Sequence, residues 1–266
     1  MSNFLKVVCP IELKFLQPVI VEELCRVGNF ADGGYAMTGA AIKKSDALLS
    51  LGLGENWSFE RAVSDINPKV TIDIYDDTVS FFFFVRKAFN GLVKLILFRD
   101  SKSNFLARFW RFKDYFIFWV RNPMNTHHQI RITKDSFKKV LSGYPNETMI
   151  GLKVDIEGSE WDILELISED KSRFEFLLME IHDFDKHVDQ LRKFLGDLAG
   201  SFIIAHLHAN NFETLGSNGF PKVFEITLLR LANVVTSGEL RSRLPIPEMD
   251  APNARNRPDF LIEFPN

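Results

Sequence analysis

"GLKVDIEGSEW", residues 151–161, joins an apolar run to charges at every second position. Side chains alternate along a strand, so Leu152, Val154 and Ile156 share one face and Lys153, Asp155 and Glu157 the other. Gly158 and the helix-compatible "SEW" follow, and the whole reads as a core strand feeding a helix. Unpaired charge is costly to bury. The expectation is that these charges emerge at the mouth of a crevice, within reach of water or a ligand.

Six further runs read as strands on both sides of this one: "SDALLSLGLG" (45–54), "KVTIDIYDD" (69–77), "HHQIRIT" (127–133), "FEFLLMEIH" (174–182), "SFIIAHLHANNF" (201–212) and "KVFEITLLRL" (222–231). Helical patterns separate most of them. "ENWSFERAVSDI" carries Phe59, Ala62, Val63 and Ile66 at helical spacing, with Asn56 as its N-cap. Thr133 opens a helix that Gly143 ends. Ser159 and Asp162 suggest a capping box for "SEWDILELI". Asp185 opens a helix with Val188, Leu191, Leu195 and Leu198 inward. Alternating apolar strands and helices predict an α/β fold with a doubly wound, mostly parallel sheet. The last two strands lack a helix between them and predict a closing antiparallel pair, unlike a plain dinucleotide-dehydrogenase sheet. Residues 21–38 suggest a helix end followed by a hairpin turning at "ADGG". The tail from 236 is proline-rich, with a short final strand.

The chain has 266 residues, 46% hydrophobic and 25% charged, with net charge −3, as expected of a globular protein and not of a general nucleic-acid binder. Cys9 and Cys25 make neither a metal pattern nor a disulfide framework, which favours a reducing, cytoplasmic setting. The first fifteen residues lack a signal-peptide core, and no uncharged run reaches transmembrane length. Residues 79–121 differ from the rest. Nine basic side chains stand there against Asp100 and Asp114, a local charge of +7 that leaves −10 elsewhere.

Open α/β sheets bind ligands beyond the carboxyl ends of their strands. Those ends read "GLGEN", "DIYDDT", "KVDIEG", "MEIHDFD" and "HLHANN". Gly52 and Gly54 permit a tight turn and close approach of backbone to a ligand. The third glycine of the dinucleotide fingerprint is missing. Asp76, 24 residues after Gly52, stands where an acid commonly binds ribose hydroxyls. Asp73 is its rival one pleat deeper, and Asp77 points to the opposite face.

Together "LLSLGLGENWSFE", "IYDDT", "LKVDIEGSEWDIL" and "LLMEIHDF", with "DGGY" upstream and "HLHANN" downstream, resemble the FkbM-type S-adenosylmethionine-dependent methyltransferases. The resemblance runs from about residue 24 to about 231, outside the insert, and "KVDIEGSE" is its most specific piece. It implies a class I methyltransferase (Rossmann-like) sheet of seven strands with the last antiparallel. It implies S-adenosyl-L-methionine as cofactor, held by the loop of Gly52, Gly54, Glu55 and Asn56, with Asp76 on the ribose and Asp155 shaping the pocket. Ser50 departs from the commonest form, in which an acid stands there. The domain organisation expected is an N-terminal helix and hairpin extension (1–44), a methyltransferase domain (45–235) interrupted by an aromatic-basic helical insertion (79–125), and a C-terminal extension (236–266). Members generally methylate oxygen, so the expected acceptor is a hydroxyl of a sugar, glycan or glycosylated metabolite. A nicotinamide-dependent oxidoreductase and a non-catalytic binding module of the same fold are the alternatives.

Methyl transfer to oxygen needs in-line approach and a base for the leaving proton. His182, Asp155 and His208 are the candidates for catalysis, with Glu157 and His206 nearby in sequence and Glu180 on the same strand face as His182. The competing reading of each histidine is a strand-end ring bonded to a carboxylate. No metal is expected, although Asp155 with His182 or His208 is the set that could hold one. Asp32 or Tyr35 of "DGGY" is expected either to close over the cofactor or simply to flank a turn. In the insert, Phe105, Phe109, Phe112, Phe116 and Trp119 share one helical face. Two readings stand for it: helices packed on each other or on a second subunit, or an interfacial pair that lies on the inner face of an anionic membrane. Nucleic acid is not expected as a partner.

Overall fold

The computed structural model describes residues 4–30, 33–121 and 124–265. Its centre is a seven-stranded sheet: β1 (Ala47–Leu51), β2 (Thr71–Tyr75), β3 (Thr126–His128), β4 (Ile150–Val154), β5 (Phe174–Ile181), β6 (Phe202–Ala209) and β7 (Phe224–Arg230). The spatial order is β6-β7-β5-β4-β1-β2-β3. Every pairing is parallel except those of β7 with β5 and β6, which are antiparallel. This is the class I methyltransferase sheet, with its order reversing between β1 and β4.

Seven α-helices accompany it among the described residues: α1 (Gly39–Lys44), α2 (Ser58–Ile66), α3 (Phe81–Ile96), α4 (Lys102–Arg121), α5 (Lys134–Ser142), α6 (Leu164–Glu169) and α7 (Val188–Leu198). The central strands are buried on both faces, which explains their unbroken apolar runs. Leu48, Ile72, Ile74 and Leu178 pack under α1 and α2, with Phe84 of α3 and Tyr115 of α4. Leu49, Leu152, Val154 and Met179 pack under α5, α6 and α7 on the other face. Gly151 is required within β4: a Cβ there would overlap the ring of Phe176 on β5.

Thr133 and Ser136 form a reciprocal capping box, and Gly143 ends α5. Other local expectations need correction. Ser159 does not cap. A 3-10 turn spans Ser159–Asp162, and the Glu160 carboxylate accepts from Gly158 N at 2.8 Å instead. Asn56 precedes the first turn of α2 and accepts from Ser58 N at 3.2 Å, so it turns the chain without being the N-cap itself. Leu24–Gly28 is a strand paired with Gly34–Thr38, where a helix end was expected. The hairpin tip at Ala31 and Asp32, and with it the lid role of Asp32, lies outside the described residues. Strand Phe4–Val8 runs parallel to the final strand, Asp259–Glu263, and Val19–Val21 pairs with Thr236–Leu240.

Candidate active site

The sequence "GLGEN" leaves β1 through Gly52 and Gly54, both with positive φ (85° and 56°). A Cβ on Gly52 would overlap the carbonyl oxygen of Asp155, so the β1 and β4 exits touch here. Asp76 fastens the loop. Its carboxylate accepts from Leu53 N and Gly54 N, both at 2.8 Å, and from the amide and hydroxyl of Thr78 at 2.6 Å, with Val79 N at 3.3 Å. Burial opposes its charge, but the bonds from Thr78, Gly54 and Leu53 outweigh it and hold the carboxyl below its ordinary range. A carboxylate has about four lone-pair sites, so this one is saturated by its own chain. Asp77, its exposed neighbour, lines the crevice, and its oxygens have no hydrogen-bond partner among the described residues. Asp73 bonds the hydroxyl of Tyr144 and, at 3.3 Å, His128, and is not in the crevice.

A cavity of about 840 Å³ opens along the carboxyl ends of β1, β2, β4 and β5. Gly52, Gly54, Glu55, Asn56, Asp76, Asp155 and His182 all line it. The carboxylate of Glu55, however, is taken by Lys87 and Arg111 of the insert. Burial would raise its pKa, and those two cations lower it on balance. Tyr35 contributes a buried ring to the wall, and the Ser58 hydroxyl donates to Gly33 O at 2.8 Å, tying the hairpin to α2.

Lys153 lines the crevice as a buried side chain and not at its mouth. Its register partner on β1 is Ser50, and both face α2. The ammonium donates to Glu60 at 3.1 Å and to Gly52 O at 2.9 Å, and the Ser50 hydroxyl donates to Glu60 at 2.7 Å. Glu60 is fully buried, and its second oxygen finds no partner among the described residues. Burial would neutralise Lys153, but Glu60 and Asp155 raise its pKa and keep it charged. An acid therefore does lie beside Ser50, supplied by α2. Sequence reasoning missed Glu60, although it borders the apolar face of that helix opposite a strand lysine.

His182, just past β5, is fixed from behind. Its amide donates to Glu160 at 2.7 Å and its Nδ1 lies 3.1 Å from the same oxygen. Nε2 faces Glu157 at 3.6 Å. Burial would lower its pKa, but Glu160, Glu180 and Asp155 raise it to about 9. Glu180, bonded to Asn210 at 2.7 Å, has its pKa pushed up by burial and by the neighbouring Asp155 and Glu225. Asp155, Glu157 and His182 each present one ligand atom within 4.8 Å of the others and could hold a divalent cation; of the two histidines expected as partners of Asp155, His182 is the one brought to it, joined by Glu157. His208 does not line the crevice. It is buried against Asp259 (3.5 Å) and Glu225 (4.0 Å), and His206 against Asp250 (2.9 Å).

No protein-family model and no curated protein matches the sequence. Among solved structures, the chain is similar to a precorrin-6y C5,15-methyltransferase from Geobacter metallireducens (12% identity, 72% of this chain and 83% of that one, TM-score 0.39). It is similar also to the O-methyltransferase TomG from Streptomyces achromogenes in complex with SAM (12%, 72% and 76%, TM-score 0.38). A third likeness is to an O-methyltransferase from Bacillus cereus in complex with SAH (9%, 72% and 77%, TM-score 0.37). At these values the reading of the site rests on its own residues.

Proposed function

We propose that the chain is an S-adenosylmethionine-dependent methyltransferase acting on a hydroxyl of a sugar or glycan-type acceptor. The carrying observation is the cradle made by Gly52 and Gly54, anchored by Asp76 and opening onto the crevice beside the order reversal of a class I sheet. The FkbM resemblance supports the same reading. Bound there, S-adenosylmethionine supplies an activated methyl group. Asp77, with its oxygens open, takes the ribose hydroxyls, and Asp76 holds the loop that receives the cofactor. The acceptor side is lined by Asp155, Glu157, Glu180, His182, Asn210 and Lys222, a set rich in acceptors for sugar hydroxyls. His182 faces this space with its orientation set by Glu160. With its pKa at about 9, the ring is protonated at neutral pH and holds the acceptor oxygen by hydrogen bonding. As pH rises toward that value it becomes the base for the hydroxyl proton.

Titration calorimetry with S-adenosylmethionine, its demethylated product and NAD tests the cofactor. Binding of the first two and not NAD is expected, whereas NAD binding alone would make the chain an oxidoreductase. Transfer of a labelled methyl group across a panel of sugars and glycan precursors then tests the acceptor.

A further inference from the structure

The hairpin of α3 and α4 is anchored at its base and bare along one side. Trp57, Phe84 and Tyr115 form an edge-packed aromatic cluster there, and Asp114 accepts from Trp57 Nε1 at 3.1 Å and from Arg61 at 2.8 Å. Gly91 is buried against Phe105 and Arg108, where the two helices meet. The α4 stripe, for which packing and membrane contact both stood as readings, is divided: Phe112 and Trp119 pack on the core, while Phe109 and Phe116 stay exposed. The continuous uncovered face belongs to α3. Phe82, Val85, Phe89, Leu92, Val93 and Ile96 fall within about a 100° arc of the helix, and all are exposed. Phe82 is 78% exposed, and Phe98 at the tip 97%.

Basic side chains border one side of this face and the hairpin tip. Arg86, Lys94, Arg99 and Lys102 are exposed and make no ion pair among the described residues. The charge decides between occupants. Residues 79–121 carry +7, so pairing this face with its own copy would set like charge against like. An anionic surface matches it, and a face of phenylalanine and aliphatic side chains beside bases suits the boundary between headgroups and acyl chains. No helix among the described residues is long and apolar enough to cross a membrane, so the contact lies in the surface plane. We propose that α3 and the hairpin tip dock the protein on an anionic lipid bilayer. Lys87, on the side of α3 away from the docked face, and Arg111 tie the hairpin to Glu55 of the glycine loop, so the docking element is joined to the crevice wall.

Vesicle flotation tests this with phosphatidylcholine alone and with added phosphatidylserine, at low and high salt. The intact protein should float only with the anionic vesicles and lose at least tenfold in binding at high salt. The combined Phe82→Ser, Phe89→Ser, Ile96→Ser variant should lose at least tenfold as well. Because these side chains are exposed, its circular dichroism and thermal midpoint should stay unchanged. Reversal of Lys94, Arg99 and Lys102 to Glu should have the same effect on flotation. The proposal is overturned if the intact protein ignores anionic vesicles. It is overturned equally if the triple variant still floats, if that variant instead breaks a dimer of a protein that never floats, or if the hairpin binds RNA and not vesicles.

Discussion

Strands β5 and β6 flank β7, and each brings a histidine to the same region of the sheet. Both His182 and His208 have pKa values raised to about 9 against the desolvation that would lower them. The first lines the crevice; the second is sealed under residues of the C-terminal segment, Asp250 and Asp259 among them. Glu225 of β7 lies between, in register with Glu180 on one side and His208 on the other, and burial lifts it to about 7. A raised pKa thus marks charge crowding and says nothing of function by itself. Access separates the two rings.

The sharpest way to break this comparison is to remove each ring. His208→Ala leaves Asp259 buried without its partner and should cost about 3–5 kcal/mol of stability in denaturant unfolding. Turnover per folded molecule should stay within about twofold. Lost turnover at full stability would return His208 to the chemistry. His182→Ala should do the reverse: turnover falls by about 10²-fold or more while cofactor affinity holds. Normal turnover in that variant would leave Asp155 to take the proton.

Titration separates the same pair. Each folded pKa lies above the ordinary histidine value of about 6.5. Their stabilisation is therefore fully present below that pH and lost as pH climbs through about 9. The loss should be on the order of 3 kcal/mol for the enclosed His208. Unfolding free energy of the parent should fall across this window, and in His208→Ala the slope should flatten. Turnover should climb over the same window through His182; a flat rate profile would contradict its role as base. Smaller effects come from the acids. Asp77→Asn should weaken cofactor binding by about 1.5–3 kcal/mol with the fold intact, whereas Asp76→Asn should lower both affinity and thermal midpoint by loosening the loop. The smallest expected effect is that of a chelator, which should leave turnover unchanged. Activity lost to it and restored by Mn²⁺ would turn His182, with Asp155 and Glu157, from base into ligand.

The strand pattern was legible because each central strand is buried on both faces and had to be apolar throughout. The antiparallel end followed from the missing helix between 209 and 224. The glycine loop, Asp155 and His182 were readable because all leave strands at one edge. What was not legible depends on contacts between distant segments. Lys153 needed its partner Glu60 on α2, 93 positions upstream, before its burial made sense. Asp76 looked like a ligand until the loop amides that fill it were in place. His208 matched His182 in type and position, and only the fold of the tail hid it. In the insert, helical spacing found the α4 stripe but could not say which helix would cover it.

The pairing of Phe4 with Asp259, and of Val8 with Glu263, carries a consequence for synthesis. The strand Phe4–Val8 is made long before Asp259–Glu263, so this small sheet forms only after that later partner has emerged. Closing so long a loop adds little to the equilibrium cost, since each doubling of length adds about 0.6 kcal/mol. Its cost is in time, because contacts so far apart in sequence form late. The strand that arrives last also carries Asp259, so until it docks, His208 lacks that counter-ion and the far wall of the molecule stays open. A ribosome-bound nascent chain would therefore hold the glycine loop before it pairs Phe4–Val8 with Asp259–Glu263.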